Sequence, residues 1–313
     1  MTIPRTTVLP LLLACVVLLG GGQSEDIYQR VKRTLGDAAG AQLRSKNFSQ
    51  LEERLAAITP ANDAGHAELL ALKGAIEFLD GKMAEAAADF RESEKIQPAK
   101  EGDRFTLAMA LVRLGDEDGA RNVLANLARE HGNTAIYWYW LGRLDYYQRR
   151  YAEAVKNLER AVKLDPSAAR GWDSLGLAWD MQGHMQQARE DFEKAVELNR
   201  AQKQPSPWPP HNLGYLLLRM GETAKAEEVF RESLRYDEKL ARTHYYLART
   251  LEKEDRADEA IAEYQIAVAE DKAATDSCYS LAMLFRKLHR EDDAKAMFAE
   301  FKRRKGSEPE ANR

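Results

Sequence analysis

Apolar residues recur along this chain at spacings of three and four, which is the period of one face of an α-helix. The segment AIYWYWLGRLDYYQRRYAEAVKNLERAVKLDP, from Ala135 to Pro166, carries this pattern on both sides of a polar turn. Ala, Leu, Glu, Lys and Arg dominate the chain, and all five favour helices. Prolines stand at the ends of the periodic segments, as Pro98 and Pro166 do. The pattern predicts an all-α chain.

The helical pattern repeats with a period of 34 residues, because the segment that starts at Ala169 matches the one that starts at Ala135. Residues at equal positions in the two segments are Trp138 and Trp172, Leu141 and Leu175, Gly142 and Gly176, Ala154 and Ala188, and Ala161 and Ala195. The same spacing predicts repeats that start near residues 67, 101, 135, 169, 207, 241 and 275. A fixed period of this length is typical of an array of stacked helical hairpins.

One insertion of four residues interrupts the period, in the segment KQPSPWPP from Lys203 to Pro210. We expect a longer turn in which proline starts the next helix and Trp208 packs against the stack. Lengthening a turn in such an array costs little. The alternative is a rim loop that touches a partner.

The repeated positions resemble the tetratricopeptide repeat, whose signature is Trp, Leu-Gly and Tyr in one helix, then Ala, Phe and Pro. The first segment has Trp138, Leu141, Gly142, Ala154 and Pro166, with Asp145 in place of Tyr and Leu158 in place of Phe. The resemblance implies a right-handed superhelical solenoid of antiparallel helix pairs, with about seven clear repeats and one degenerate repeat. Each hairpin leaves an apolar face open, so stacking supplies the core.

Four parts of the chain follow from this interpretation. Residues 1–22 are a signal peptide or N-terminal anchor, and residues 23–66 are a degenerate capping hairpin. Residues 67–308 are the repeat array, and residues 309–313 are a polar tail. Because no long linker divides the array, we expect one continuous domain.

The N-terminal segment favours export. Its apolar run, from Val8 to Leu19, is about 18 Å long as a helix, which is short of the roughly 30 Å needed to span a bilayer. The run and the small residues after it match a secretory signal peptide. Two alternatives stay open: Leu12 to Cys15 resembles a bacterial lipobox that would place a lipid on Cys15, or the segment is an uncleaved anchor. We expect a periplasmic or envelope-associated protein.

Neither charge nor motifs indicate nucleic-acid binding or catalysis. The net charge of −4 is unsuited to nucleic acid, and membrane contact is expected only through the N-terminal anchor or lipid. The run Lys302 to Lys305 is expected to solvate the end of the last helix; a lipid or nucleic-acid patch is the alternative. No catalytic motif, cofactor site or metal site is apparent, so we predict no enzyme. The enzyme-class alternative is an array that targets a catalytic partner on a separate chain.

Several reactive residue types are expected to have structural roles. His244 and Cys278 occupy the Trp position of their repeats, which indicates packing between helices. Carboxylates such as Glu190, Asp191 and Glu193 are expected on solvated faces of second helices.

In proteins that this chain resembles, the first helices line a concave surface that holds peptides, through repeat positions 2, 5, 6, 9, 12 and 13. These positions predict a site that also includes His211 in its surroundings. The candidate residues are Tyr139, Arg143, Tyr146, Arg170, Asp173, Asn212, Tyr215, Arg242, Tyr246 and Arg249. Tyrosine and arginine often dominate binding energy, and arginine suits acidic segments. The alternative is that the tyrosines are family background.

Individual positions refine this expectation. Asn212 matches a family residue that hydrogen-bonds peptide backbone. The family's dicarboxylate clamp is not reproduced, because its lysine positions hold Tyr139 or Ala71. We therefore predict an exported protein-interaction scaffold or adaptor that binds a protein or peptide in the groove. The alternative is a structural subunit of a cell-envelope assembly or secretion complex, which contacts its partners by the convex face or the edges.

Overall fold

The computed structural model describes residues 21–271 and 275–306, and every regular element in these ranges is an α-helix. The chain divides into two compact units with the boundary after Leu144. Most of the signal or anchor segment, including Cys15, and the tail 309–313 lie outside the described residues. No helix in the ranges given is long and apolar enough to span a membrane.

Eight helices begin in unit 1, and the last of them crosses the boundary. They are α1 (Gly21–Leu35), α2 (Asp37–Arg44), α3 (Phe48–Ala56), α4 (Asp63–Asp80), α5 (Met83–Ile96), α6 (Glu101–Leu114), α7 (Glu117–Glu130) and α8 (Ala135–Tyr147). Three helices, α1 to α3, occupy the segment for which the sequence predicts a single degenerate hairpin. Gly36 separates α1 from α2 with φ 88°, a left-handed conformation that glycine adopts without strain.

A buried ion pair fixes α1 within unit 1. Arg30 donates to Asp103 Oδ1 on α6 at 2.6 Å, and both residues are buried. Burial raises the pKa of Asp103 although Arg30 opposes the shift. Because an unpaired buried charge is costly, this pair ties the start of the described chain to a helix 73 residues away in sequence.

Unit 2 continues with α9 (Tyr151–Leu164), α10 (Ala169–Met181), α11 (Met185–Arg200), α12 (Trp208–Met220), α13 (Thr223–Tyr236), α14 (Ala241–Lys253), α15 (Ala257–Glu270), α16 (Asp276–Lys287) and α17 (Glu291–Gly306). Each hairpin packs its two helices together, and each second helix packs on the next first helix. Neighbouring first helices also contact each other, from α10 to α12 and from α12 to α14. We call the surface of α10, α12, α14 and α16 the A-helix face of unit 2, and α9, α11, α13, α15 and α17 its B helices.

Two glycines allow the first and second helices of a hairpin to approach closely. A Cβ atom at Gly214 would lie 2.7 Å from the ring of Phe230, and one at Gly176 would lie 2.7 Å from the ring of Phe192. Both phenylalanines are fully buried. The glycine of the repeat therefore makes room for the large ring of the second helix.

The inserted segment is a longer turn, as expected. The Asn199 side chain donates to Ser206 O and accepts from Ser206 N, both at 2.8 Å. Proline occupies the first turn of α12, and the half-buried Trp208 ring lies edge-on to His211 at 5.5 Å. The two hydrogen bonds close the loop on the end of α11.

Two residues have different surroundings from those that the sequence suggests. Asp145, which replaces the repeat tyrosine, is completely buried and accepts from Arg150 at 2.7 Å and from Asn157 at 2.7 Å. Within the basic run, Arg304 does not solvate the helix end, because it is 7% exposed. It donates to Val268 O at 3.0 Å and Asp271 O at 2.9 Å, which satisfies carbonyls at the end of α15.

Candidate functional site

A cluster of tyrosines lies on the A-helix face of unit 2. The ring centroids of Tyr215 on α12 and Tyr246 on α14 are 4.8 Å apart, and those of Tyr245 and Tyr246 are 5.0 Å apart. All three rings are half-buried. The helical register brings them together because α12 and α14 are neighbouring first helices and Tyr245 and Tyr246 follow each other in sequence.

The second helix of the hairpin supports this cluster from below. The Phe230 ring on α13 lies nearly parallel to that of Tyr246, with centroids 6.3 Å apart and an interplanar angle of 11°. Burial raises the pKa of Tyr246 to about 12, and the neighbouring Tyr215 adds to the shift. The phenol is therefore neutral at ordinary pH and available as a hydrogen-bond donor.

His211 belongs to the floor of the cluster and not to its surface, where the sequence places it. It is 3% exposed, its Nδ1 lies 2.8 Å from Thr243 Oγ1, and its ring is 5.8 Å from that of Tyr246. Burial, reinforced by the positive charge of Arg242, lowers the pKa of His211 to about 3. The imidazole is therefore neutral and serves as packing.

Two exposed arginines flank the tyrosine pair along α14. Arg242 precedes Tyr245 and Tyr246 by about one turn, and Arg249 follows them by about one turn. The Arg249 guanidinium lies 5.8 Å from the Tyr245 ring centroid. Within the ranges that the structure describes, neither arginine forms an ion pair or a hydrogen bond. Positive charge on both sides of an aromatic surface can attract a carboxylate or phosphate.

The remaining polar groups of this face are held by one another. Asn212 Nδ2 donates to Asp173 Oδ1 at 2.9 Å, which fixes the amide while its oxygen stays free to accept a hydrogen bond. Arg219 donates to both oxygens of Asp180 at 2.6 Å and lies 5.5 Å from the Tyr215 ring centroid. These pairs join α10 to α12 and cancel charge there, so the uncompensated charge is on α14.

The structure brings together six of the ten candidate residues. These six, which form the candidate site, are Asp173, Asn212, Tyr215, Arg242, Tyr246 and Arg249. Arg170 lies exposed at the start of α10, and Tyr146 contacts Tyr147 and Tyr151 edge-on. The other two, Tyr139 and Arg143, belong to unit 1.

Tyr139 and Arg143 interact with each other within unit 1. Arg143 donates to Tyr139 Oη at 3.0 Å, and its guanidinium is 5.8 Å from the ring centroid. Tyr139 is 7% exposed, so its ring has little surface to offer a ligand. The equal weight that repeat position gives to Tyr139 and Tyr246 therefore does not fit their exposure.

Two residues of the site are absent from the candidate set. Arg219 stands at repeat position 13, one of the positions used to select groove residues, and could have been found there. Phe230 lies on a second helix, and its stacking on Tyr246 has no signature in the sequence. No group of three or more potential metal ligands occurs in the part of the chain that the structure describes.

The B helices of unit 2 differ, because their charges pair between hairpins. Arg189 on α11 contacts Glu222 before α13 at 2.7 Å, and Glu227 on α13 contacts Arg256 before α15 at 2.5 Å. Both pairs join the fifth residue of one B helix to the residue before the next. These ion pairs link successive hairpins.

Comparison with known proteins agrees with the fold. The tetratricopeptide repeat model matches residues 105–144, 141–205 and 211–275, together more than half of the chain. The chain belongs to the tetratricopeptide repeat family, whose members are generally non-enzymatic protein-interaction scaffolds. This confirms the predicted family and the predicted all-α solenoid class.

Individual relatives match only part of their own length. Human Superkiller complex protein 3 is 33% identical over 90 residues, which is 28% of this chain and 6% of that protein. Hsp70-Hsp90 organizing protein 1 of Glycine max is 29% identical over 114 residues, 36% of this chain and 18% of that protein. The structure of a tetratricopeptide repeat protein from Parabacteroides merdae aligns with TM-score 0.60 and 16% identity, over 89% of this chain and all of that one.

Proposed function

We propose that this protein is an exported scaffold or adaptor that binds a protein or peptide segment on the A-helix face of unit 2. The observation that carries the proposal is the half-buried tyrosine cluster between two exposed arginines, Arg242 and Arg249, that have no partner among the described residues. Tyrosine and arginine are the residue types in which interface energy concentrates. The name of the Glycine max relative, an Hsp70-Hsp90 organizing protein, supports a role in bringing proteins together.

The chemistry of the face favours an acidic segment with an apolar or aromatic side chain. Each arginine can bind a carboxylate with two parallel hydrogen bonds, and the rings of Tyr215 and Tyr246 offer flat apolar area between them. The Asn212 oxygen can accept a backbone N–H of an extended peptide. A single site of this size gives micromolar affinity, about −8 kcal/mol.

The binding proposal is tested by recovery of partners from the envelope fraction of the host after cross-linking. Full-length tagged protein is compared with the Arg242→Glu/Arg249→Glu variant and with Arg235→Glu. Arg235 is a matched control, because it is also exposed and unpaired but lies on the B helix α13. We expect the double variant to lose a partner that the control retains.

Equal recovery by all three proteins would contradict binding at this face. The protein would then be better described as a structural subunit that contacts its partners elsewhere, and its native mass in extracts would exceed that of a simple complex.

Export rests on the sequence of residues 1–22 and needs a separate test. The intact mass of protein purified from host envelopes is expected to lack the N-terminal segment, or to carry a lipid on Cys15. A protein that keeps Met1 and fractionates away from the envelope would contradict export. This outcome would leave the binding proposal unaffected.

A further inference from the structure

A pocket of about 630 Å³ opens on the B-helix side of unit 2, between α9 and α11, with α10 beneath it. The indole rings of Trp172 and Trp179 line it from α10. Glu159 lines it from α9, and Glu190 and Asp191 line it from α11. The one cation in the lining is Lys163 of α9. An aromatic floor with an excess of carboxylates is chemically suited to a cation.

The pocket occurs where the pairing rule of the B helices is broken. At the next two junctions, the fifth residue of a B helix forms an ion pair with the residue before the following B helix. The equivalent residues at the α9–α11 junction are Val155 and His184, which do not form an ion pair. The groove between these two helices is therefore not bridged by charge.

Asp191 has no partner in the chain as described. Its place in the repeat predicts a solvated helix face, but its Oδ2 atom is buried and accepts no hydrogen bond, and no other described residue pairs with it. Burial raises the pKa of Asp191 to about 7, and the charges of Glu190 and Glu159 add to the shift. A carboxylate in this position lacks the cation or donor that a half-buried charge requires.

We propose that this pocket binds an arginine side chain presented by a partner protein. Guanidinium stacks on indole rings and donates in parallel to carboxylates, whereas ammonium does only the second with full strength. The pocket is larger than one guanidinium and is open, so it admits the residues on either side of the arginine. The site lies on B helices and does not depend on the A-helix face, so either proposal can fail alone.

The test uses full-length protein with ¹⁵N-labelled tryptophan, whose five indole signals are assigned with Trp→Phe variants. The probes are the peptide Gly-Gly-Arg-Gly-Gly, the same peptide with neutral citrulline in place of arginine, and free arginine. We expect the arginine peptide to shift the Trp172 and Trp179 signals and the citrulline peptide to bind about tenfold more weakly or less. Equal shifts by both peptides, or no shift, would overturn the proposal.

Three comparisons separate recognition of a partner's arginine from general attraction of cations to the pocket. Asp191→Asn is expected to weaken the arginine peptide about tenfold or more, while Glu228→Gln, an exposed unpaired glutamate on α13, changes nothing. Wild-type affinity for Asp191→Asn would overturn the proposal even if that variant is fully folded. Free arginine that binds as tightly as the peptide would overturn the assignment to a partner protein.

A pH series provides a readout that loss of folding would not imitate. Affinity of the wild type is expected to fall from pH 8 to pH 5.5 as Asp191 takes up a proton, and to stay flat for Asp191→Asn. Glu159 and Lys163 of α9 and Glu190 of α11 share the pocket, and His184 lies 5.2 Å from Trp179. His184→Gln is the control for repulsion by a protonated imidazole, and a slope lost in His184→Gln but kept in Asp191→Asn would contradict the role of Asp191.

Discussion

The A-helix face and the B helices of unit 2 are built from the same repeat but use charge differently. On the B helices, Arg189 and Glu222 pair between hairpins, and so do Glu227 and Arg256. On α14 of the A-helix face, Arg242 and Arg249 flank tyrosine rings without a partner among the described residues. Ion pairs at the junctions suffice to link the hairpins, so the two arginines are not needed for the stack and are available to a ligand.

The same contrast in charge extends to the pocket at α10. Where the pairing of B helices is interrupted, at Val155 and His184, two indoles and a partnerless Asp191 line the gap. The two candidate sites thus share one feature, which is charge that the repeat does not neutralise internally, and they have opposite sign.

The largest expected effect is on the support that the B helix gives to the A-helix face. Phe230→Ala removes a fully buried ring that packs on Gly214 and Tyr246, and should lower the free energy of unfolding by about 3–5 kcal/mol. Phe230→Leu should cost only about 1.5 kcal/mol, because it keeps most of the volume. Urea denaturation measures both, and a loss below about 1 kcal/mol for the alanine variant would contradict the packing described.

Next is a buried charge on a B helix. Glu232 is 2% exposed and accepts from Arg200 at 2.8 and 2.6 Å, which lowers the pKa of Glu232. Glu232→Gln should cost about 1–2 kcal/mol at pH 7, since Arg200 is half-exposed and solvent screens the pair. A depressed carboxylate pKa stabilises above the unfolded value of about 4.3, and this contribution is lost as pH falls.

The difference between Glu232→Gln and wild type should therefore shrink below about pH 4, as followed by denaturation across pH. Glu228→Gln, on the same helix without a partner, is the control and should lie within about 0.5 kcal/mol of wild type. A cost that is equal at pH 7 and pH 3 would show that the ion pair is not its cause.

Asp191→Asn should act in the opposite direction. Because the pKa of Asp191 is raised to about 7, wild-type stability is fullest below the unfolded value of about 3.9 and declines as pH rises towards 7. The variant should be more stable than wild type by about 1 kcal/mol at pH 8, after allowance for solvent screening, and equal at pH 4. Thermal unfolding at both pH values decides this, and a destabilised variant at pH 8 would indicate an unseen partner for the carboxylate.

The smallest effect on stability is expected for the two free arginines. Arg242→Glu and Arg249→Glu should each stay within about 0.5 kcal/mol of wild type, because nothing in the described chain pairs with either. Circular dichroism during heating checks this. A larger loss would show that these residues hold the stack together and would weaken the contrast between the two faces.

Much of the fold follows from the sequence, because the repeat fixes local structure strongly. Positions such as Gly214 and Ala226 recur at one period, and the composition of the proline-rich insert predicts a turn. The site follows less well, since repeat position predicts which face a residue occupies but not its exposure. Tyr139, Tyr246 and His211 all stand at groove positions, yet Tyr139 and His211 are buried by their neighbours.

Pairing between side chains is the other feature that the sequence does not predict. Whether Arg219 or Arg242 is neutralised depends on what the preceding hairpin places beside it, which is Asp180 for Arg219 and no acid for Arg242. The environment of Asp191 likewise depends on the packing of three helices. Helical periodicity alone cannot assign such contacts, because Arg219 and Asp180 are 39 positions apart in sequence.

The central claim is that a partner binds at Arg242 and Arg249 on the A-helix face of unit 2. It is tested most directly by titration calorimetry of the recovered partner against wild type, Arg242→Glu/Arg249→Glu and Arg235→Glu, all folded and all full length. We expect a loss of about 30-fold or more for the double variant, as for residues that dominate an interface, and wild-type affinity for Arg235→Glu. Equal affinities for the double variant and wild type would contradict the claim.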